Sequence, residues 1–358
     1  MNQFAAIYRG RRVLLTGHTG FKGSWLAAWL VELGAEVFGF SLPREMDGET
    51  HHWDTLNLPV TDLRGDIRDA AVLQRLMADY RPEIVFHLAA QSLVRPSYRQ
   101  PLEAWSTNVL GTAYMLEACR VTPGIAAVVV ITTDKVYANR EWPWGYRECD
   151  ELAGHDPYSA SKAATELLCD SYRRSFWYGD GPLLATARAG NVIGGGDWAE
   201  DRLIPDLVRA VQAGQVLHIR SPSSTRPWQH VLECLSGYLL LGQRLLEGDR
   251  ICAEAWNFGP ALEANRSVAE ILQALGEHWP AMNWQVGADD SLHEARLLYL
   301  DSAKARAGLR WEPVWPLATA LMMTADWYRR SHERNEVCTL EQLQRFADAA
   351  QQAGCVWA

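Results

Sequence analysis

Apolar runs alternate with amphipathic segments along the first half of the chain. Residues Trp25 to Leu33 repeat at helical spacing before Gly34, which predicts an amphipathic helix that ends at the glycine. Strands that alternate with helices favour a doubly wound α/β fold with a parallel sheet, whose ligands bind at the carboxyl ends of the strands. Four short apolar runs predict the buried strands: 13–15, 37–40, 83–90 and 126–133.

The turn between the first strand and the first helix carries Gly17, Gly20 and Gly23 at GxxGxxG spacing. Gly17 would permit a tight turn, Gly20 would let the backbone approach a pyrophosphate, and Gly23 would let the helix pack closely on the strand. The free N–H groups and the positive dipole end of the helix would bind the phosphates. This pattern predicts a dinucleotide site in the first part of the chain.

The end of the second strand leaves the choice between NAD and NADP open. An acidic residue there would hold the adenosine ribose of NAD, but Ser41 and Leu42 occupy the position. Arg44 follows shortly and could favour the 2′-phosphate of NADP. Asp66 and Ile67 lie in a predicted loop that suits the adenine edge, with a surface turn as the alternative.

Composition narrows the class of protein. The 358 residues are 48% hydrophobic and 22% charged, as in ordinary globular proteins, and the net charge of −9 disfavours nucleic acid or an anionic membrane as the main partner. We expect a cytoplasmic protein, because the chain has no bilayer-length apolar stretch and its first residues lack a signal core. The seven cysteines are scattered without a CxxC, and His51 and His52 have no partner ligands in sequence, so no metal is expected.

Two pairs of proton-transfer groups lie downstream of the glycine turn. Asp134 and Lys135 follow the strand that ends at Thr133, at the expected ligand-binding edge of the sheet. Tyr158 and Lys162 are four residues apart and would share one helix face. An ammonium beside a phenol lowers the phenol pKa from about 10 toward neutrality and makes it a usable base. Each pair alone would also fit a solvated turn or an exposed helical pair, but their place after a dinucleotide turn favours catalysis.

The chain resembles the extended short-chain dehydrogenase/reductase family in six motifs that span most of its length: TGHTGFKG, HLAAQ, STNVLGT, TTDKVY, PYSASK and RAGNVIGGGDW. Within that family it is most similar to nucleotide-sugar 4,6-dehydratases, through the segments VRPSY, EWPWGYRE, NVIGGGDW, RPWQHVLE, WNFGP and LHEA. The resemblance implies NAD as the cofactor, CDP-glucose as the substrate and a homodimer. It also implies a lyase of deoxysugar synthesis for lipopolysaccharide O-antigen.

The resemblance implies a role for each pair. Tyr158, beside Lys162, would take the proton of the C4 hydroxyl while the nicotinamide takes the hydride. Asp134 and Lys135 would then eliminate water across C5 and C6 before the hydride returns to C6. Many such enzymes have Asp-Glu where this chain has Asp134-Lys135. A lysine needs a lowered pKa to serve as the C5 base. The alternative is that Lys135 only polarises the ketone while another group moves the proton.

The resemblance also implies binding residues. Guanidinium groups suit a pyrophosphate because they bind two oxygens at once, although any single arginine could equally form a surface ion pair. The implied substrate-binding residues are Arg95, Asn191, Arg202, Arg226 and His293. Thr133 joins the two catalytic pairs as a further implied catalytic residue. The implied cofactor-binding residues are Gly17, Thr19, Gly20, Phe21, Lys22, Gly23, Ser41, Asp66, Ile67, Leu88, Ala89, Ala90, Asn108, Tyr158 and Lys162.

Shorter strands and more loops after about residue 190 indicate a second region. We expect residues 1–190 to form the NAD-binding domain with the catalytic residues, and residues 191–358 to form mainly a smaller substrate lobe. The segments VLHIR and WNFGP are expected to return to the main sheet, so the two regions would be interleaved.

Other functions remain open at the level of sequence. The same fold could dehydrate another nucleotide sugar or act as a 4-epimerase, or it could be a non-catalytic dinucleotide sensor. An epimerase needs Tyr158 and Lys162 but has no use for Asp134 and Lys135. A sensor needs neither pair, so the presence of both favours the dehydratase.

Overall fold

A computed structural model of the chain describes residues 3–43, 51–179, 181–287 and 297–358. Arg44 and His293 therefore lie outside the described residues. The strands are β1 (Arg12–Thr16), β2 (Glu36–Ser41), β3 (Thr61–Arg64), β4 (Ile84–His87), β5 (Ala127–Ile131), β6 (Leu183–Ala189), β7 (Val192–Ile193), β8 (Leu217–Ile219), β9 (Thr225–Pro227), β10 (Gln229–His230), β11 (Ala255–Phe258), β12 (Asn265–Ser267) and β13 (Trp284–Val286).

The helices alternate with these strands in the first half of the chain and become more frequent toward its end. They are α1 (Gln3–Tyr8), α2 (Phe21–Glu32), α3 (His52–Leu56), α4 (Ala70–Tyr80), α5 (Val94–Arg99), α6 (Pro101–Trp105), α7 (Thr112–Val121), α8 (Pro157–Ser175), α9 (Leu203–Gln212), α10 (Val231–Leu246), α11 (Val268–His278), α12 (Ala303–Leu309), α13 (Leu317–Arg334) and α14 (Thr339–Gln352). A π-helical segment, Ser106–Gly111, joins α6 to α7, and a single 3₁₀ turn, Asp134–Val136, follows β5.

The main sheet has seven parallel strands in the order β11-β6-β5-β4-β1-β2-β3, which confirms the predicted doubly wound α/β fold. Its two faces are covered by different helices. Val13 and Leu15 of β1 pack into the core that contains Trp25 of α2, whereas Leu14 packs with Leu73 of α4 on the other face. Because helices cover both faces, the central strands are mostly continuous apolar runs and do not alternate with polar residues.

The chain runs outward from the centre of this sheet in two directions. It passes from β1 through β2 to β3 on one side, and from β4 through β5 and β6 to β11 on the other. Ligands bind outside the carboxyl ends of the strands where the direction reverses, which is between β1 and β4. The glycine turn after β1 therefore lies at this switch point.

The two segments expected to return to the main sheet have different outcomes. WNFGP does so, because its residues form β11 beside β6. VLHIR does not: its strand β8 pairs with β13 in a separate two-stranded sheet. His218 in the middle of β8 is exposed, and such a strand cannot take a place between two helical layers without burying that polar side chain.

Candidate active site

A cavity of about 720 Å³ opens at the carboxyl ends of β5 and β6. It gathers side chains from the glycine turn, the β5 edge, the start of α8 and the second half of the chain. The predicted site residues that line it are Phe21, Lys22, Arg95, Thr133, Asp134, Lys135, Tyr158, Asn191, Arg202 and Arg226.

The glycine turn is packed too tightly for side chains. Gly17 has a φ of +75°, and a Cβ there would lie 2.7 Å from the backbone nitrogen of Ala89 beyond β4. A Cβ on Gly23 would lie 2.0 Å from the Gly17 carbonyl oxygen. Gly20 is the N-cap of α2 and provides no side-chain cap. The first-turn N–H groups of α2 are thus left for another acceptor, which fits the phosphates of a dinucleotide.

Ser41 is tied to this turn and does not reach outward from the end of β2. Its hydroxyl is 2.9 Å from Nδ1 of His18 and accepts from the backbone N–H of Thr19 at 3.4 Å. The other ring nitrogen of His18, Nε2, is 2.9 Å from Asp62 on β3. Our sequence reasoning missed His18 and Asp62. His18 stood inside the TGHTG motif, but no local signal pointed to a partner 44 residues away.

The remaining predicted cofactor residues surround the sheet edge. Leu88 and Ala89 directly follow β4. Their backbone N–H groups donate to the carbonyl and the hydroxyl, respectively, of Thr16 at the end of β1. Asn108 is buried, and its amide bonds both to the backbone of Gln91 and, at 2.8 Å, to the Ser161 hydroxyl of α8. Asn108 therefore braces the loop after β4 against α8. Its contact with a cofactor stays a prediction.

The predicted adenine-edge residues do lie in the loop that follows β3. Asp66 forms a 2.5 Å ion pair with Arg68. Ile67 is buried against Gly111, since a Cβ there would lie 2.7 Å from the Ile67 Cδ1. A contact of either residue with adenine stays a prediction.

The catalytic helix begins where the sequence predicts. Pro157 opens α8, and Asp156 caps it by accepting from the Ser159 N–H at 2.9 Å. Tyr158 faces the cavity, whereas the Lys162 ammonium lies beneath it and donates to the Ile131 carbonyl at 3.0 Å.

The pKa values of this pair differ from the expectation. Burial raises the pKa of Tyr158 to about 12, despite the hydrogen bond with Thr133 that lowers it. Burial also lowers the pKa of Lys162 to about 8, and the nearby Lys22 ammonium adds to this. The lowered phenol pKa that we expected is not found, because desolvation of the phenolate dominates.

Asp134 and Lys135 form the 3₁₀ turn that follows β5. The Thr133 hydroxyl donates to Asp134 Oδ1 at 3.0 Å. Asp134 is 2% exposed, and its Oδ2 has no hydrogen-bond partner among the described residues. That oxygen faces Gly190, where a Cβ would lie only 2.8 Å away. Buried carboxylate oxygens are normally paired, so this one is suited to a ligand hydroxyl.

The predicted phosphate-binding residues approach the same cavity from the second half of the chain. Arg202 precedes α9 and bonds to Asp197 Oδ2 at 2.8 Å. The Tyr328 hydroxyl in turn donates to the Asp197 carbonyl at 2.7 Å. Arg226 on β9 is buried, while Arg95 forms a 3.5 Å ion pair with an acid of the loop before α9. Sequence reasoning missed Asp197 and Tyr328, although Asp197 belongs to the GGGDW segment.

The adjacent histidines His51 and His52 are not arranged as metal ligands. His52 is buried, with its two ring nitrogens each 2.7 Å from a hydroxyl, those of Ser24 and Thr339. Within the described ranges, no group of three or more His, Cys, Asp or Glu side chains is placed to hold a metal ion. Among the helices described, none is long and apolar enough to cross a membrane.

A parallel sheet with a glycine turn after one strand and proton-transfer side chains after another fits the class of extended short-chain dehydrogenases/reductases. The sequence pattern of the family described as GDP-mannose 4,6 dehydratase matches residues 14–324, and the chain belongs to this family. A CDP-glucose 4,6-dehydratase of Salmonella typhimurium is 47% identical over 328 residues, which are 90% of this chain and 91% of the relative. A dTDP-glucose 4,6-dehydratase of Streptomyces antibioticus is 32% identical over 88% of this chain and 92% of its own.

Solved structures agree with this assignment. A dTDP-glucose 4,6-dehydratase from Streptomyces venezuelae, solved with NAD bound, superposes with a TM-score of 0.75 at 28% identity and covers 89% of this chain and 97% of its own. A UDP-glucose 4-epimerase from Thermotoga maritima has a TM-score of 0.77 at 23% identity, over 90% of this chain and 100% of its own. This second likeness shows the fold alone.

Proposed function

We propose that the protein binds NAD and dehydrates CDP-D-glucose to CDP-4-dehydro-6-deoxy-D-glucose. The observation that carries the proposal is the meeting of Tyr158 with Asp134 and Lys135 in one cavity beside the glycine turn, while Lys162 is buried outside the cavity wall on the same helix as Tyr158. Tyr158 and Lys162 provide the proton transfer for oxidation of an alcohol by NAD, and the additional pair of Asp134 and Lys135 is what an elimination requires. The substrate nucleotide follows from the 47% identity to the Salmonella enzyme.

The first step removes a proton from the C4 hydroxyl. Tyr158 receives this proton as the phenolate, with Thr133 hydrogen-bonded to its phenol oxygen. Burial raises the phenol pKa to about 12, so this step needs the positive charge that a bound nicotinamide ring would supply. When bound, NAD supplies the hydride acceptor at C4, a positively charged ring and the hydride that later returns to C6. The Lys162 ammonium is bonded to the Ile131 carbonyl at the end of β5, and its positive charge, one helical turn from Tyr158, is proposed to favour the phenolate.

The second step breaks the C6–O bond. Lys135 takes the C5 proton, which the new C4 ketone makes acidic, and Asp134 donates a proton from Oδ2 to the leaving C6 hydroxyl, so that water departs. Lys135 returns its proton to C5 when the hydride reaches C6. The proton that Tyr158 took from the C4 hydroxyl passes through the Thr133 hydroxyl to Asp134, so both groups return to their starting states. Two observations support these roles: Asp134 Oδ2 has no hydrogen-bond partner in the part of the chain that the structure describes, and the partly exposed Lys135 lies on the cavity wall.

The CDP diphosphate is proposed to lie between the two halves of the chain. Arg226 and Arg202 provide positive charge there, and Asn191 lies on the same wall. Arg95 pairs with Asp201 across the rim and is the weakest candidate. We retain residues 1–190 and 191–358 as the proposed NAD-binding and substrate regions.

A homodimer is proposed through the helices that precede and carry the catalytic tyrosine. Exposed apolar side chains on α6, the π-helical segment and α8 support it, because a large exposed apolar patch usually marks an interface. These side chains are Leu102, Trp105, Leu110 and Leu167, each more than 40% exposed. A cytoplasmic location and a place in O-antigen deoxysugar synthesis are proposed on the sequence resemblance alone.

The proposal is tested by mass spectrometry of products after incubation with CDP-, dTDP-, UDP- and GDP-glucose in the presence of NAD. We expect loss of one water from CDP-glucose, with no net reduced nicotinamide. Unchanged mass in every tube would contradict the dehydratase, and turnover of another nucleotide alone would contradict the choice of substrate.

The role of Lys135 is tested with Lys135→Met. If Lys135 is the C5 base, exchange of solvent deuterium into C5 should fall about a hundredfold or more, as for loss of a general base. Lys304→Met is a matched control, because that ammonium lies over the Trp256 ring and pairs with Glu254 outside the cavity. Undiminished exchange in Lys135→Met would refute the assignment of Lys135 as the C5 base.

A further inference from the structure

A buried ion pair lies directly behind the catalytic edge. Arg188 on β6 donates through Nε and Nη2 to the two carboxylate oxygens of Glu166 on α8, each at 2.9 Å. The side chains are 3% and 2% exposed. Neither residue lines the cavity that holds the catalytic groups, so neither is placed to touch a substrate there.

Two hydroxyl groups complete the shell around Glu166. Thr132 donates to Oε1 at 2.5 Å and Thr186 donates to Oε2 at 2.7 Å. Thr132 is the residue immediately before Thr133 and Asp134, and Glu166 lies one helical turn beyond Lys162. This carboxylate therefore connects the helix of the oxidation pair to the turn of the elimination pair.

The same ion pair also holds the far end of that turn. Arg188 Nη1 donates to the Tyr137 hydroxyl at 2.7 Å, and its guanidinium carbon lies 5.1 Å from the centre of the Tyr137 ring. Tyr137 directly follows the 3₁₀ turn, Asp134–Val136. The turn is thus bracketed by Thr132 at its start and Tyr137 at its end, and both are bonded to the Glu166–Arg188 pair.

Stability is a weak explanation for this arrangement. A buried ion pair costs desolvation free energy, and replacing such pairs with apolar side chains is often neutral or stabilising. The four charge-assisted hydrogen bonds on the Glu166 carboxylate fix the positions of the groups that donate them, because each bond constrains the direction of its donor. The groups whose geometry they define are the turn and α8.

We propose that Glu166 and Arg188 are positioning residues, which act through Thr132 and Tyr137 to hold the Asp134–Lys135 turn in register with Tyr158. This inference rests on the proposed dehydratase function. Oxidation at C4 depends chiefly on Tyr158 of α8, with Thr133 assisting, whereas elimination depends on Asp134 and Lys135 of the turn itself. A loosened turn should slow elimination more than oxidation, so that the 4-keto sugar and reduced nicotinamide accumulate during the first turnover.

The test compares Thr132→Val with Thr186→Val. Each removes one hydroxyl from the same carboxylate at a fully or nearly fully buried position, but only Thr132 adjoins the turn and lines the cavity. The purified variants are mixed rapidly with NAD and CDP-glucose, bound reduced nicotinamide is followed by absorbance, and product is quantified by quenching. Thermal unfolding is recorded for each variant.

We expect both variants to lose similar thermal stability. Thr132→Val should eliminate water about tenfold more slowly, equivalent to about 1.4 kcal/mol, with a transient of reduced nicotinamide that Thr186→Val lacks. Thr132→Ser keeps the hydroxyl and should restore the wild-type time course. Tyr137→Phe releases the other end of the turn and should give the same transient, which keeps the test decisive if Thr132→Val fails to fold.

The inference would be overturned if Thr132→Val and Tyr137→Phe slowed oxidation and elimination equally, without a transient of reduced nicotinamide. The ion pair would then have a purely structural role. A wild-type protein that does not dehydrate CDP-glucose would instead refute the proposed function, and this inference with it. The wild-type reaction and the comparison of variants therefore separate the two failures.

Discussion

Gly190 tests whether the space in front of Asp134 is where the leaving hydroxyl lies. It follows β6 and lines the cavity. In Gly190→Ala the added Cβ would lie 2.8 Å from Asp134 Oδ2 and 3.2 Å from Pro227 Cγ. Ordinary contact begins at 3.4 Å, so the carboxylate must retreat by about 0.6 Å, since the proline ring behind the methyl has little room to move.

The expected cost is kinetic and not structural. The φ of Gly190 is not in the left-handed region, so alanine is tolerated by the backbone and the unfolding temperature should change little. Misplacing a catalytic group by about 1 Å costs about a hundredfold in rate. A shift of about 0.6 Å should therefore lower kcat for dehydration between about tenfold and a hundredfold, or about 1.4 to 2.8 kcal/mol in the barrier.

The assay measures two rates, reduction of bound nicotinamide and release of dehydrated product. Oxidation at C4 should stay near the wild-type rate, because Tyr158 and Lys162 do not contact the methyl group. Gly276→Ala in α11 is the matched control, since its Cβ would meet nothing closer than 3.7 Å. Unchanged dehydration in Gly190→Ala would refute the placement of the leaving hydroxyl, as would an equal loss of both rates.

Two further predictions concern cofactor binding and pH. In Gly23→Ala the Cβ would lie 2.0 Å from the Gly17 carbonyl oxygen, so the turn must shift. The affinity for NAD, measured by fluorescence titration, should fall at least about tenfold. An affinity equal to that of the wild type would contradict the proposed NAD site at the glycine turn. Burial raises the Glu233 pKa from 4.5 to about 8, so its contribution to stability falls as pH rises through that window. In Glu233→Gln, the free energy of unfolding measured in urea should no longer fall over this pH range as it does in the wild type. An unchanged dependence on pH would show that it arises from another group.

Much of the fold and the catalytic positions could be predicted from contiguous residues. Buried strands, the helix after the glycine turn and the start of α8 each follow from a short repeating pattern. The order of strands and helices places their carboxyl ends at one edge, which is why Asp134 and Tyr158 could be expected to lie close together. The failure of VLHIR to join the main sheet shows the limit, since a short apolar run does not specify its partner.

Only the tertiary structure decided which polar side chains meet. The Glu166–Arg188 pair, its bond to Thr132, and the bond between His18 and Asp62 join residues 22 to 44 positions apart. The direction of the Tyr158 pKa shift was also missed, because it depends on how deeply packing buries the phenol. Periodicity and turn chemistry are local and are written in neighbouring residues. Hydrogen-bond partners and desolvation arise when distant segments exclude water together, and no single segment contains that information.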